Sequence, residues 1–332
     1  MTKTTIKGLL AGAALAISAQ SAFAAAHMDE ITVAYFLEWP MPFLVAKAEG
    51  RYDEALGVKV NWRSFETGTA MSAAMASGDV MLSVSQGVPP FVVAASAGQD
   101  IQVLDVAVSY SDNDNCVVRT DLEIDKDSAD ELAGKKVAVP LGTAAHYGFL
   151  RQMDHFGVDV SGLEVVNMAP PEGAAALAQG AVDFACGYGG GLGRMKESGN
   201  VLLTGPEKEE LGILVFDVTS APAAFVAENP DLVSAFLKVT AEVNAEWNAD
   251  HSEAMLATIA EESGMDLEAT RDSISTMSFP SIEDQLGATW FGGAVLPFMK
   301  GVADVFVEAK SIDSALDSYD STVNTGPLAA AK

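Results

Sequence analysis

The chain has 332 residues, 46 acidic against 19 basic, and a formal net charge of −27. With 49% hydrophobic residues it holds enough apolar side chain for one or two packed cores, and it is not a disordered chain, which needs few apolar residues as well as high charge. The acidic balance argues against nucleic acid and against an anionic membrane surface as partners, since both are bound through Lys and Arg. It leaves a small anionic ligand open, because backbone N–H groups at helix ends hold anions without side-chain charge.

Residues 1–24 read as a secretory signal. Lys3 and Lys7 supply the positive start, Gly8 to Ser18 the apolar run, and Ala22-Phe23-Ala24 a small-x-small cleavage site. The apolar run falls short of the roughly 20 residues that span a bilayer, and no Cys follows it to take a lipid. A periplasmic chain with no direct membrane insertion is expected.

Beyond the signal, short β-like runs alternate with helical stretches. Ile31 to Phe36 alternates and is β-branched, which predicts a strand. A helix over 42–53, a strand over 58–62 and an Ala/Met helix over 69–77, capped by Thr67 or Gly68, follow. Residues 78–84 read as turn and strand, 89–97 as a helix with Pro89 and Pro90 in its first turn, and 101–107 as a strand. A second set begins near residue 112, with strands at 117–118, 135–139, 164–168 and 182–186 and helices at 144–155 and 173–179. After a strand at 213–218, helices are expected over 230–250, 253–262, 267–276 and 291–309. This pattern predicts an α/β fold of two lobes, with mostly parallel sheets flanked by helices and a cleft between the lobes. The first lobe takes residues 28–111 and 216–325, the second takes 112–215, and residues 326–332 form a flexible tail with no packing signal.

The two cysteines, Cys116 and Cys186, both lie in apolar strand-like runs. In an oxidising compartment they form one disulfide, or else they are two separate buried thiols. The four histidines are scattered and no metal-ligand spacing is present, so no metal or cofactor is expected. No GxSxG elbow, Walker A or HExxH motif occurs, so no catalytic residue is assigned. The glycine-rich run after Cys186 fits a dinucleotide loop only loosely and reads better as a flexible strand-to-helix turn with Tyr188 as an aromatic wall.

Two segments have the form of anion cradles. Pro140-Leu141-Gly142-Thr143-Ala144-Ala145-His146-Tyr147 follows a strand and opens a helix, where first-turn N–H groups lack intrahelical partners. Ser85-Gln86-Gly87-Val88-Pro89-Pro90 repeats the arrangement in the first lobe. For a cationic group, Glu38 and Trp39 lie just past the first strand, where cleft residues of open α/β sheets sit. Asp114 lies at the crossing into the second lobe and Asp217 at the crossing back. A half-buried carboxylate needs a partner, which a ligand ammonium would supply, and Trp39 and Tyr188 could stack on a cation.

These features resemble the periplasmic substrate-binding proteins of ABC importers, in the taurine, aliphatic-sulfonate and pyrimidine-precursor group, and most of all its taurine-binding branch. The likeness runs through Val60 to Gly68, Ala76 to Val80, Val139-Pro140, His146-Tyr147, Pro170-Pro171, Gly180 to Asp183 and Phe216 to Val218, and weakens after about residue 240. It implies the two-lobed type II binding-protein fold, closing on a small-molecule ligand at the hinge, and delivery to a membrane permease with a cytoplasmic ATPase. By position, Gln86, Gly87, Thr143, Ala144 and Ala145 fall on the sulfonate-binding loops, Asp114 and Asp217 on the amine-binding acids, and Tyr188 on an aromatic wall. The chain departs from the family in having few hydroxyls on either loop, three glycines after Tyr188, and the added Glu38-Trp39. The expected function is capture of taurine or a related sulfonate by a monomer that is not an enzyme. The alternatives are a quaternary amine or pyrimidine precursor as ligand, or a fold-related pyrimidine-biosynthesis enzyme.

Overall fold

A computed structural model describes residues 1–2 and 28–332; nearly all of the proposed signal segment lies outside the described residues. The chain begins with β1 (Glu30–Phe36), α1 (Phe43–Ala48), α2 (Arg51–Leu56), β2 (Lys59–Phe65), α3 (Gly68–Ala76), β3 (Leu82–Gly87), α4 (Val88–Ser96) and β4 (Ile101–Tyr110). It then crosses to β5 (Asp114–Arg119), β6 (Lys136–Val139), α5 (Ala144–Phe156), β7 (Glu164–Asn167), α6 (Pro170–Ala178), β8 (Phe184–Tyr188), α7 (Gly189–Lys196), β9 (Gly199–Val201) and α8 (Gly205–Glu210). It returns through β10 (Val215–Pro222) to α9 (Ala223–Glu228), α10 (Pro230–Asp250), α11 (Glu253–Ser263), α12 (Leu267–Ser275), β11 (Met277–Ser278), α13 (Ile282–Leu286), α14 (Val295–Glu308) and α15 (Gly326–Ala330).

The strands form two sheets, ordered β11-β4-β10-β3-β1-β2 and β7-β6-β8-β5-β9. β1 runs parallel to β2 and β3, and β6 parallel to β7 and β8. The sheets are mixed, however, where mostly parallel ones were expected. β5 and β10, the strands that carry the chain between sheets, enter antiparallel to their neighbours. A direct crossing from the end of β4 has no helix in which to reverse direction, as a parallel connection would need.

Most element boundaries follow from local chemistry. The helix expected over 42–53 is two helices, because Gly50 takes φ +69° and breaks the run. Thr67 caps α3 by accepting from the Ala70 N–H at 3.2 Å. The strand expected to end at Ala107 continues to Tyr110, since Val106, Val108 and Tyr110 all stay buried. Cys116 and Cys186 stand opposite each other on β5 and β8 and are joined by a disulfide.

The core runs through the first sheet and on to the α5 side of the second, while a separate cluster of Val117, Ala138, Ala174, Leu177, Leu192 and Met195 lies under α6 and α7. Two expectations about the C-terminal part need correction. Residues 326–332 are not a flexible tail: α15 packs on α10 and β4, with Leu328 only 1% exposed. One buried leucine and Ala331, three residues on, anchor a segment too short to show a periodic signal. The late helices also do not pack on the first sheet alone. α14 touches both α4 and α5, and its Phe306 and Phe298 rings meet His146 and Tyr147 at 5.2 and 5.6 Å.

Candidate functional site

A cavity of about 20 Å³ lies where the two sheets face each other. Strand ends and helix starts build it, as expected for ligand sites of open α/β sheets. Phe36 closes β1, Tyr110 closes β4, and Gly87 joins β3 to α4. Gly68 opens α3, Thr143 and Ala144 open α5, Tyr188 precedes α7, and Asp217 comes from β10. A groove of about 900 Å³ lies outside it and shares Phe36, Trp39 and Tyr188.

One end of the cavity is acidic and ringed by aromatic side chains. Asp217 is 2% exposed. Its Oδ2 accepts from Ser85 Oγ at 2.6 Å and its Oδ1 from the Tyr110 hydroxyl at 2.7 Å. Ser85 Oγ in turn accepts from the Trp39 indole N–H at 2.7 Å. Ser85 holds φ +67°, and such a conformation costs of order 1–3 kcal/mol and persists only where the surroundings offset it; here the hydroxyl ties Trp39 to Asp217. Trp39 meets Tyr110 edge to face at 4.8 Å and Tyr188 at 6.3 Å, and Phe36 meets Tyr188 at 5.8 Å. Burial pushes the Asp217 carboxyl up to about 7 against the lowering effect of the Ser85 and Tyr110 hydrogen bonds, and the nearby Asp114 raises it further. A cation in the cavity would reverse that shift.

The other end offers backbone N–H groups. Thr143 Oγ1 donates to the Pro140 carbonyl at 2.6 Å, so it does not cap α5. The N–H groups of Ala144 and Ala145 are therefore left without a partner inside the helix. On α3, the Thr67 cap takes the Ala70 N–H and leaves those of Gly68 and Thr69. These two helix starts approach each other, since a Cβ on Gly142 would lie 3.1 Å from Thr69 Cγ2. The pairing expected from sequence, α5 with α4, is corrected here. Pro89 and Pro90 carry no N–H, which leaves α4 a poor anion donor, and the Ser85 hydroxyl is committed to Asp217.

Six of the expected residues line the cavity: Trp39, Gly87, Thr143, Ala144, Tyr188 and Asp217. The other five do not. Gln86 is fully buried, its amide donating to Gly68 O and Ser72 Oγ and its carbonyl accepting from Ser220 Oγ. Ala145 turns its methyl into the core. His146 accepts from the Gly142 N–H through Nδ1 and stacks on Phe306, and burial lowers its pKa to about 4. Asp114 is the cross-strand partner of Tyr188 in the β5–β8 register and is not part of the lining. Its Oδ2 finds no hydrogen-bond partner, and burial raises the carboxyl to about 7 while Lys208 pulls it down. Glu38 faces the outer groove and pairs with Arg194.

Sequence reasoning missed Phe36, Gly68, Pro90 and Tyr110 in the lining. Phe36 and Gly68 were legible as the end of a strand and the residue after a capping Thr. Tyr110 was hidden by ending its strand three residues early. Among the described residues no group of His, Cys, Asp and Glu could hold a metal ion.

Residues 40–254, more than half of the chain, match the model of the NMT1/THI5-like family. The chain belongs to this family. It is 31% identical over 213 residues to the taurine-binding periplasmic protein of Escherichia coli strain K12; the match spans 64% of this chain and 65%, just under two thirds, of that protein. Among solved structures it is similar to the alkanesulfonate-binding protein SsuA from Xanthomonas axonopodis pv. citri bound to MOPS. The TM-score there is 0.74 at 18% identity, over 89% of this chain and 98% of that one. It is also similar to a mutant of the enzyme DszB in complex with biphenyl-2-sulfinic acid, with TM-score 0.63 at 15% identity over 92% and 99%. Both likenesses show the same two-sheet α/β fold, which the second shares with an enzyme, and at such identities they carry no activity across.

Proposed function

We propose that this NMT1/THI5-like chain is the periplasmic solute-binding component of an ABC importer and captures a small zwitterion, taurine or a related aminosulfonate first, at the interlobe cavity, whose volume of about 20 Å³ holds only a water or two and must widen to admit it. The observation that carries the reading is the two-ended cavity. A buried carboxylate ringed by aromatic side chains faces the free N–H groups of two helix starts, one from each sheet. Asp217 takes the ammonium, with Trp39, Tyr110 and Tyr188 beside it. Gly68 and Ala144, which open α3 and α5 in the lining, take the anionic oxygens through their N–H groups. Asp114, beside Tyr188 in the register, acts through its coupling to Asp217. Support comes from the taurine-binding relative and from the acidic sequence, which suits a soluble carrier better than a binder of polyanions. In this reading residues 1–24 direct export, the lobes divide near 112 and 215, and a monomer delivers ligand to a permease with a cytoplasmic ATPase.

A taurine-sized ligand has about seven heavy atoms, and at a ceiling of about 1.5 kcal/mol per atom it can reach roughly 10 kcal/mol. Thermal-shift measurement on protein refolded to strip ligand tests the reading. Taurine at about 100 times its Kd adds about 2.7 kcal/mol of stability. A shift with taurine and little with ethanesulfonate, which lacks the amine, supports the two-ended site. The aromatic walls favour a second reading, a pyrimidine precursor or quaternary amine; a shift with those and none with taurine would select it.

A further inference from the structure

The corner before Trp39 does something the ligand site does not require. The Arg194 guanidinium makes a two-point ion pair with the Glu38 carboxylate, Nη1 to Oε1 at 2.6 Å and Nη2 to Oε2 at 2.9 Å. The Glu38 N–H donates to the Ser263 carbonyl at 2.8 Å, and the Glu38 carbonyl accepts from the Gly190 N–H at 3.1 Å. The corner is thus fixed to α11 on its own side and gripped by the first turn of α7 from the other. Glu38 holds φ +55°, a conformation few non-glycine residues adopt. The approach is closed to side chains: a Cβ on Gly189 would lie 2.5 Å from the Glu38 carbonyl oxygen, and one on Gly190 2.8 Å from Glu38 Cβ. The contact is one residue from the cavity on both sides, since Trp39 follows Glu38 and Tyr188 precedes Gly189. It also divides two open grooves, of about 900 and 480 Å³, both lined by Glu38 and Arg194.

We propose that the Glu38–Arg194 pair, seated on Gly189 and Gly190, is a clasp that holds the lobes together over the cavity and sets how long ligand remains. The clasp rests on the ligand-capture reading for its purpose, though not for its geometry. The pair is partly exposed, 30% for Glu38 and 44% for Arg194, so its contribution is modest; two-point Arg–carboxylate geometry is the form in which such pairs do contribute. Effects of this kind fall mainly on the dissociation rate.

The test uses Glu38→Gln, Arg194→Met, the double variant and Arg194→Lys. Taurine release is followed by stopped-flow tryptophan fluorescence. The interlobe distance of the ligand-free chain is followed by pulsed electron paramagnetic resonance, with spin labels on the exposed Glu54 and Glu131. The expected result is release about fivefold faster in each single variant at nearly unchanged association rate. The double variant should be no faster than either single one, Arg194→Lys should lie between, and interlobe distances should lengthen. Unchanged distances and release, or effects that add in the double variant, would overturn the clasp. If the unaltered chain fails to bind taurine, the ligand reading falls and the distances alone decide the clasp.

Discussion

Asp217 is the residue on which the site turns. It is buried among three aromatic rings, both of its oxygens accept hydrogen bonds, and its carboxyl is raised to about 7 by burial. Two outcomes follow. An ammonium ligand needs the carboxylate, so its affinity should fall about tenfold for each pH unit below about 7, as a titration of Kd against pH would show. Folding has the opposite dependence. The native carboxyl keeps its proton to higher pH than the unfolded one, so its contribution to stability is full below the unfolded value and is lost as pH rises through about 7. Asp217→Asn should therefore melt no lower than the unaltered ligand-free chain near about pH 8. Its affinity for an aminosulfonate should drop more than about tenfold, a loss of about 1.4 kcal/mol, while ethanesulfonate binding stays unchanged; a lowered melting point with unaltered affinity would make Asp217 a structural residue. The acid itself was legible in the sequence, because it falls where the chain recrosses between lobes. Its partners Ser85 and Tyr110 were not. They reach it from two other strands, and only the sheet order brings β3, β4 and β10 side by side.

At the scale of elements, the disulfide is the clearest device. Cys116 lies two residues after Asp114 and Cys186 two before Tyr188, and these pairs face each other on β5 and β8. The bridge therefore clamps the two strands that carry an acid and a ring toward the cavity. Replacing both cysteines by Ser should lower the urea-unfolding free energy by roughly 2–5 kcal/mol and weaken ligand binding as well. Lost stability with unchanged affinity would confine the bridge to folding. Composition left pairing and separate thiols open, since register between distant strands is not written in either strand. The cradle loops show the converse. Their form was legible in both lobes, but two prolines remove two of the first-turn donors of α4, and in the proposed site α3, whose cap was visible, supplies donors instead. Gln86 and His146 misled because a polar residue on a loop looks available until its packing is known; one is saturated by hydrogen bonds and the other is stacked against Phe306.

For the whole molecule, strand and helix periodicity made the α/β alternation and the two crossings readable, because each lobe repeats a simple βα rhythm. The C-terminal third was less readable. Its helices show only that they have apolar faces, not which sheet those faces meet, and α14 meets helices from both. Removing residues 326–332 should lower the melting temperature by several degrees, as expected for losing roughly 1–2 kcal/mol of buried apolar contact at Leu328 and Ala331; an unchanged melting curve would mean that α15 contributes nothing to the fold. Whether one cavity reads both poles of a zwitterion is decided by a crystal structure of the chain with taurine. The ammonium should lie on the Asp217 carboxylate between Trp39, Tyr110 and Tyr188, and the sulfonate oxygens on the N–H groups that open α3 and α5. Taurine bound in the outer groove, or in the cavity with its poles reversed, would contradict that placement.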